Sequence, residues 1–229
     1  VSASGDATLR LVAADKVQVG EWKVFPESFG AGPDGTLYVG SITMGEVYKA
    51  APGATKTEPF IAKAADGPSA VLGVSADGKA GLLWVCYADL ALFAGQPGKA
   101  SIARSYDLAS GALKASYNFP ENSFCNDIAS TADGTVYLAD TFGARVMRLK
   151  PGATDLEAWI TDKALGGVDG ISVGPDGNVY VNNVMTNKLY RIPVGSDGAA
   201  GALAELTPST PLKGTDGMRF GPNGKLYVA

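Results

Sequence analysis

An all-β chain folded as a propeller of four-stranded blades is predicted by three observations. A turn phrase recurs five times, an aromatic strand follows each copy, and glycine and proline are abundant without any low-complexity run. The phrase reads GPDGTLYVG from Gly32, SADGKAGLLWVC from Ser75, TADGTVYLAD from Thr131, GPDGNVYVNN from Gly174 and GPNGKLYVA from Gly221. Its turn residues are Asp34, Asp77, Asp133, Asp176 and Asn223, spaced 43, 56, 43 and 47 residues apart. Such a period marks a propeller or an array. The 30 glycines and 13 prolines among 229 residues supply the turns.

Each repeat accounts for four strands. Asp-Gly or Asn-Gly provides the positive φ angles of a tight hairpin. The strand after it alternates around Tyr38, Trp84, Tyr137, Tyr180 or Tyr227, and aromatic and β-branched alternation is strand chemistry. A short apolar run precedes the turn, as in Gly170-Ile171-Ser172-Val173. A third strand follows, seen in Arg145 to Leu149 and Lys188 to Ile192, and a fourth in Leu156 to Ile160. Four strands make one blade. Thr8 to Val24 alternates like a strand and is expected to complete the blade built from the other terminus. The second repeat carries an insertion from about Ala88 to Lys99, whose Leu90, Leu92 and Phe93 either form a lid or tuck against their own blade. The fifth copy stops at Ala229 inside its second strand. An open apolar edge there is a liability, so the expectation is a single propeller domain over 1–229 whose remaining blade and a half, six blades in all, continue beyond this sequence.

Composition narrows the function. The net charge is −4 with no concentration of Lys or Arg, so a nucleic-acid partner lacks its basic stripe. No run reaches the 18 or so apolar residues of a membrane span. Val1 to Asp6 are small and polar, as at a mature N-terminus, so a periplasmic or secreted protein is expected, with a cytoplasmic one as the alternative. The 229 residues contain no histidine, which removes Ser-His-Asp and Cys-His nucleophilic systems and His-rich zinc sites within them. Catalysis here would run on carboxylates, amides, hydroxyls, or a metal held by oxygen. Cys86 and Cys125 fall at one end of adjacent blades and read either as a disulfide or as two buried thiols.

Aligning the repeats puts Glu27, Asn126, Asp169 and Asp216 at one equivalent place, the start of an innermost strand at the channel mouth. Carboxylates and an amide converging on one axis call for a neutralising cation, and their oxygens suit a hard ion. The alternative is that they cap strand ends and face water. Asp127 is expected to point the other way along its strand and to brace the next blade. Asp140 and Asn183 end the second strands of blades three and four, where they either contact substrate or cap a hairpin. Arg145, Arg148 and Arg191 are expected on outer strands as solvent-facing or inter-blade pairs, and Trp22, Trp84 and Trp159 as blade packing.

The segments Phe25-Pro-Glu-Ser-Phe29, Phe124-Cys-Asn-Asp-Ile128 and Val168-Asp-Gly-Ile171, in this order and each ahead of a repeat turn, resemble the senescence-marker-protein (regucalcin) / gluconolactonase family of six-bladed propellers. Tyr106-Asp-Leu-Ala-Ser-Gly111 fits the same pattern. The resemblance implies one divalent cation, calcium first and zinc, manganese or magnesium otherwise, on Glu27, Asn126 and Asp169. It implies a hydrolase that opens a lactone, a small-molecule substrate, with Asp169 as general base. Asp140, Asn183 and Asp216, from their place at the same end of the blades, are further candidate substrate contacts. The chain departs from the family at Ala70-Val71-Leu72-Gly73, where members carry an amide, and at Val168, where proline is common. Two rival readings remain: a non-catalytic binding propeller, and a metal-independent enzyme resembling strictosidine synthase, for which Glu121 is the poor candidate available.

Overall fold

The computed structural model describes residues 16–21, 23–208 and 210–229. They form four antiparallel four-stranded sheets and one two-stranded sheet, every sheet a meander in chain order. Blade one is β1 (Pro26–Ala31), β2 (Leu37–Ser41), β3 (Val47–Ala50) and β4 (Glu58–Ile61). Blade two is β5 (Ala70–Asp77), β6 (Leu82–Ala88), β7 (Ile102–Asp107) and β8 (Leu113–Asn118). Blade three is β9 (Cys125–Ser130), β10 (Val136–Asp140), β11 (Arg145–Leu149) and β12 (Glu157–Thr161). Blade four is β13 (Val168–Val173), β14 (Val179–Asn183), β15 (Lys188–Ile192) and β16 (Ala204–Leu206). The last sheet pairs β17 (Met218–Phe220) with β18 (Leu226–Val228). The first strands β1, β5, β9, β13 and β17 touch in succession, which is the inner ring of a propeller. No helix among the described residues is long and apolar enough to cross a membrane.

The turn phrase behaves as its chemistry demands. Asp34, Asp133, Asp176 and Asn223 each accept the backbone N–H two residues on, at 3.0 to 3.2 Å. The glycine between takes a left-handed backbone, for example φ 91° at Gly134. Blade two differs. Asp77 ends β5, and the left-handed residue is Gly81, three residues before Trp84, just as Gly35 stands three before Tyr38. The second repeat is thus displaced at its turn as well as lengthened by its insertion.

The apolar cores lie between blades. One cluster holds Tyr38, Val47, Val71, Val85 and Tyr87 from blades one and two. A second unites Leu72, Trp84 and Cys86 with Phe124, Ile128 and Leu138. A third joins Tyr137 and Val146 to Val168, Ile171 and Val181. Trp84 is buried in the second, and Trp159 stacks on Tyr137 with ring centroids 4.6 Å apart while donating to the Gly198 carbonyl. Arg148 pairs with Glu157 and reaches the same carbonyl in blade four, and Arg191 pairs with Asp176 at 3.3 Å.

Most of the expected strand from Thr8 to Val24, and Trp22, lie outside the described residues. The described part lies against blade one rather than against the blade from the other terminus. Gln18 bridges Lys56 in parallel, and Gly20 donates to the Thr57 hydroxyl at 2.9 Å. The insertion of blade two contains a 3₁₀ turn, Leu90–Ala94, capped by Asp89 and Gly95. Leu90 and Leu92 pack on the core between blades two and three, so the loop tucks against its own blade.

Candidate active site

Every complete blade interrupts its inner strand with a β-bulge at the same place. Pairing jumps from Pro26↔Ser41 to Phe29↔Val39, from Val71↔Tyr87 to Val74↔Val85, and from Val168↔Asn183 to Ile171↔Val181. In blade three it jumps from Asp140↔Cys125 to Leu138↔Ile128. The extra residue re-aims the side chains beside it. The bulged pairs are Glu27–Ser28, Leu72–Gly73, Asn126–Asp127 and Asp169–Gly170, and Asp216–Gly217 stands in the corresponding place before β17. A cavity of about 310 Å³ forms where they meet, lined by Glu27, Asn126, Asp127, Asp169, Asp216 and Arg219, with Phe29 and Met218 among its apolar walls. All four residues singled out by the repeat alignment therefore face one space. Blade two contributes Leu72 to the core instead, 3% exposed.

The cavity concentrates negative charge. Burial pushes the Glu27 carboxyl up to about 9, helped by Asp216, Asp127 and Asp169 and opposed by Arg219. Burial, with Asp216 and Asp127, pushes Asp169 up to about 7. Glu27 Oε2 is buried with no hydrogen-bond partner. Asp127 has every role filled. It accepts the Ile171 N–H of blade four at 2.9 Å and two bonds from Arg219 at 2.6 and 2.7 Å. It braces the next blade, as expected, but does not point away from Asn126: the bulge lets both residues line the cavity, and Asp127 anchors the site's one arginine there. Burial works against the Arg219 charge, but Asp127 and Glu27 outweigh it and raise its pKa.

Arg219 escaped sequence reasoning, and so did two supporting residues. Asn126 Nδ2 donates to the Thr141 hydroxyl at 3.3 Å, and that hydroxyl donates to the Val168 carbonyl at 2.7 Å. The Thr141 proton is thus committed, and the amide must present its nitrogen to Thr141. Its carbonyl oxygen is left to offer to the cavity. Asn182, fully buried, accepts the Gly170 N–H at 3.0 Å and donates to the Asp216 carbonyl, tying two site residues together. A buried amide on an apolar strand was the available signal for Asn182. Thr141 carried none.

Asp140 and Asn183 do not line the cavity. Asp140 accepts from Phe124 N, Gly143 N and Arg145 Nε, at 2.9, 3.0 and 2.7 Å. Asn183 donates to the carbonyls of Ala164 and Gly166 and accepts from Met185 and Thr186. Both hold the corner of their own blade, and the Arg145 charge is spent on Asp140. Cys86 and Cys125 are joined as a disulfide with Cα atoms 5.4 Å apart, linking blades two and three next to Asn126.

Among the described residues, no three His, Cys, Asp or Glu side chains close up into a ready metal cluster. The donors around the cavity are nonetheless those a hard cation takes: carboxylates whose pKa is raised by burial and by one another, one orphaned carboxylate oxygen, and an amide oriented by Thr141. The residues fit a divalent cation.

The architecture is a β-propeller, a fold this chain shares with solved structures of lactonases and lyases. Virginiamycin B lyase from Staphylococcus aureus superimposes with a TM-score of 0.68 at 15% identity, over 93% of this chain and 66% of that one. A streptogramin B lyase gives 0.67 at 15%, over 91% and 63%. A gluconolactonase from Xanthomonas campestris gives 0.65 at 17%, over 89% and 69%. Identities this low show the shared propeller fold. The chain spans just under two thirds of the length of the two lyases. No protein-family model matches it, and no curated protein matches its sequence.

Proposed function

We propose that this chain carries the active site of a divalent-cation-dependent lactonase similar to the regucalcin and gluconolactonase enzymes, within a single six-bladed propeller. The observation that carries the reading is the delivery of Glu27, Asn126 and Asp169 by equivalent bulges into one cavity, where Glu27 Oε2 lacks a partner. These three residues would hold the cation, calcium first, and the ion would act as a Lewis acid toward the lactone carbonyl. Asp169, poised near 7, takes a proton from the water that attacks the carbonyl carbon. The ring C–O bond then breaks, the departing oxygen is protonated, and a hydroxy acid leaves. Arg219, clamped by Asp127, keeps one positive charge beside the developing negative charge. Asp216 borders the substrate's place.

The Cys86–Cys125 disulfide favours an oxidising, secreted or periplasmic setting.

Metal analysis of the purified protein and a panel of lactones with calcium, zinc or manganese test the reading. The expected result is one cation per chain, and loss of roughly two orders of magnitude in kcat for Asp169→Asn. Full activity in that variant, or no hydrolysis of any lactone with any cation, overturns it.

A further inference from the structure

The face that carries the candidate site is rimmed by apolar side chains. Its corners are the connections from second to third strand, and each complete blade exposes a large apolar residue there: Met44, Phe93, Phe142 and the pair Val184–Met185. Phe93 is 59% and Met185 63% exposed, although water is the alternative to burial for both. At the opposite end, the first-to-second turns built on Asp34, Asp133 and Asp176 expose none among the described residues, and Leu113 at the start of β8 is the single large apolar residue exposed beside a third-to-fourth connection. The asymmetry follows the site.

The rim is continuous with the site residues. Phe142 directly follows Thr141, which holds the Asn126 amide. Phe93, Phe142 and Phe124 stack edge to face, with centroids 4.6 to 5.1 Å apart, and Phe124 stands two residues before Asn126. Met185 packs over Gly167, two residues before Asp169. Beside the aromatic trio lies an open recess of about 520 Å³, walled by Leu92, Pro97 and Phe142 and edged by the amides of Gln96 and Asn122. The blade-two insertion builds it. Meanwhile blade two places Leu72 where the resembled family has a substrate-binding amide.

We infer that the substrate is a lactone bearing an alkyl, acyl or aryl substituent, with the ring in the acidic cavity and the substituent on the exposed Phe93 and Phe142 rings, which the buried Phe124 supports from beneath, and in the recess beside them. This rests on the lactonase reading. A sugar lactone would present hydroxyls to these aromatic and aliphatic walls and leave them unpaired. An anionic lipid surface would need basic side chains on the corners. The second-to-third corner loops carry only Glu46, Asp89 and Lys99, with Lys99 spent on the Gly67 carbonyl at 2.9 Å, and the fourth-to-first connections beside them balance Lys63, Lys163 and Lys213 with Asp66, Glu121 and Asp162. A near-neutral recess that sets Leu92, Pro97 and Phe142 against two amides suits a small amphiphile.

Kinetics on the full chain with calcium, using γ-butyrolactone, γ-octalactone, γ-dodecalactone and glucono-δ-lactone, test this. Each buried methylene should raise kcat/KM about 2- to 4-fold, and dodecalactone should exceed butyrolactone by roughly 30-fold or more. Phe93→Ser and Phe142→Ser, at already exposed positions, should cut that ratio about 10-fold. Calorimetry with non-hydrolysable 5-alkyl-2-pyrrolidinones reads the recess without chemistry. If no lactone is opened but long-chain lactams bind tighter and the serine variants abolish the gain, the apolar subsite stands and the lactonase reading falls. Hydrolysis indifferent to chain length, or fastest with gluconolactone, overturns the inference and leaves the lactonase reading intact. Capture by neutral phospholipid vesicles that depends on Phe93, without chain-length preference, assigns the rim to a lipid surface and overturns it as well.

Discussion

Thr141 shows how one hydroxyl can decide what a site offers. With its proton given to the Val168 carbonyl, its oxygen can only accept, and Asn126 must turn its amide nitrogen that way. Thr141→Val removes the acceptor while keeping the shape, so the amide is free to flip. We expect cation affinity by calorimetry to fall about 10-fold or more, and Thr141→Ser to restore it; a Ser variant as weak as Val would point to lost packing instead. Residues of this kind are hard to read from sequence. Glu27, Asn126, Asp169 and Asp216 were legible because the repeat superimposes them. Thr141 comes from a corner 15 residues after Asn126, and only the folded blade brings it back. Asp140 and Asn183 left two roles open in the sequence, and the structure shows the corner-capping one. They end strands at the correct end of the blade, but their oxygens are consumed by the N–H groups and the arginine of their own corner.

At the scale of the strand, the bulge does the positioning, and glycine permits it. A Cβ on Gly73 would sit 2.5 Å from the Asn126 carbonyl oxygen, and one on Gly170 would sit 2.6 Å from that of Asp216. Both contacts are with backbone, which cannot swing aside. Gly73→Ala and Gly170→Ala should therefore each push a neighbouring blade outward, costing about 1–3 kcal/mol in urea denaturation and weakening cation binding with it. Unchanged stability would show that the inner ring yields more than its packing implies. The strands were largely legible from alternation and turn chemistry. The bulges were not, because a bulge leaves only two adjacent residues out of phase, and Glu27–Ser28 or Asp169–Gly170 look like the end of a loop. The blade-two turn was misplaced for a related reason. Asp77-Gly78 matches the phrase, but the strand continues through Asp77 and the left-handed residue is Gly81.

Across the whole molecule, the acidic cavity couples stability to pH and to cations. Glu27 and Asp169 are held near 9 and near 7 when no cation balances them, so the folded protein binds more protons than the unfolded chain above the ordinary carboxylate range. Their contribution is fully present below about pH 4 and is lost as pH rises through 7 and then 9. The melting temperature in chelator should fall between pH 5 and 9, and excess calcium should flatten the decline; a melting temperature that rises over this window contradicts the assignment. Exposed turn carboxylates such as Asp34, Asp107 and Asp133, whose pKa is lowered, act with the opposite sign and only below that window. The disulfide adds a second global constraint. It closes a span of 39 residues between blades two and three, for which chain entropy gives about 3–4 kcal/mol, and reducing agent should lower the urea midpoint accordingly.

Because every hydrophobic cluster is shared by two consecutive blades, no blade owns a core, and a blade separated from its neighbours has nothing to fold around. The molecule behaves in this respect like a row of dominoes, each held up by the next. Amide exchange should be slowest in β6, β9 and β10, where the shared cluster and the Cys86–Cys125 link coincide. The reactive cavity then draws its ligands from pieces of graded persistence, with Asn126 in the part of the ring that lets go last.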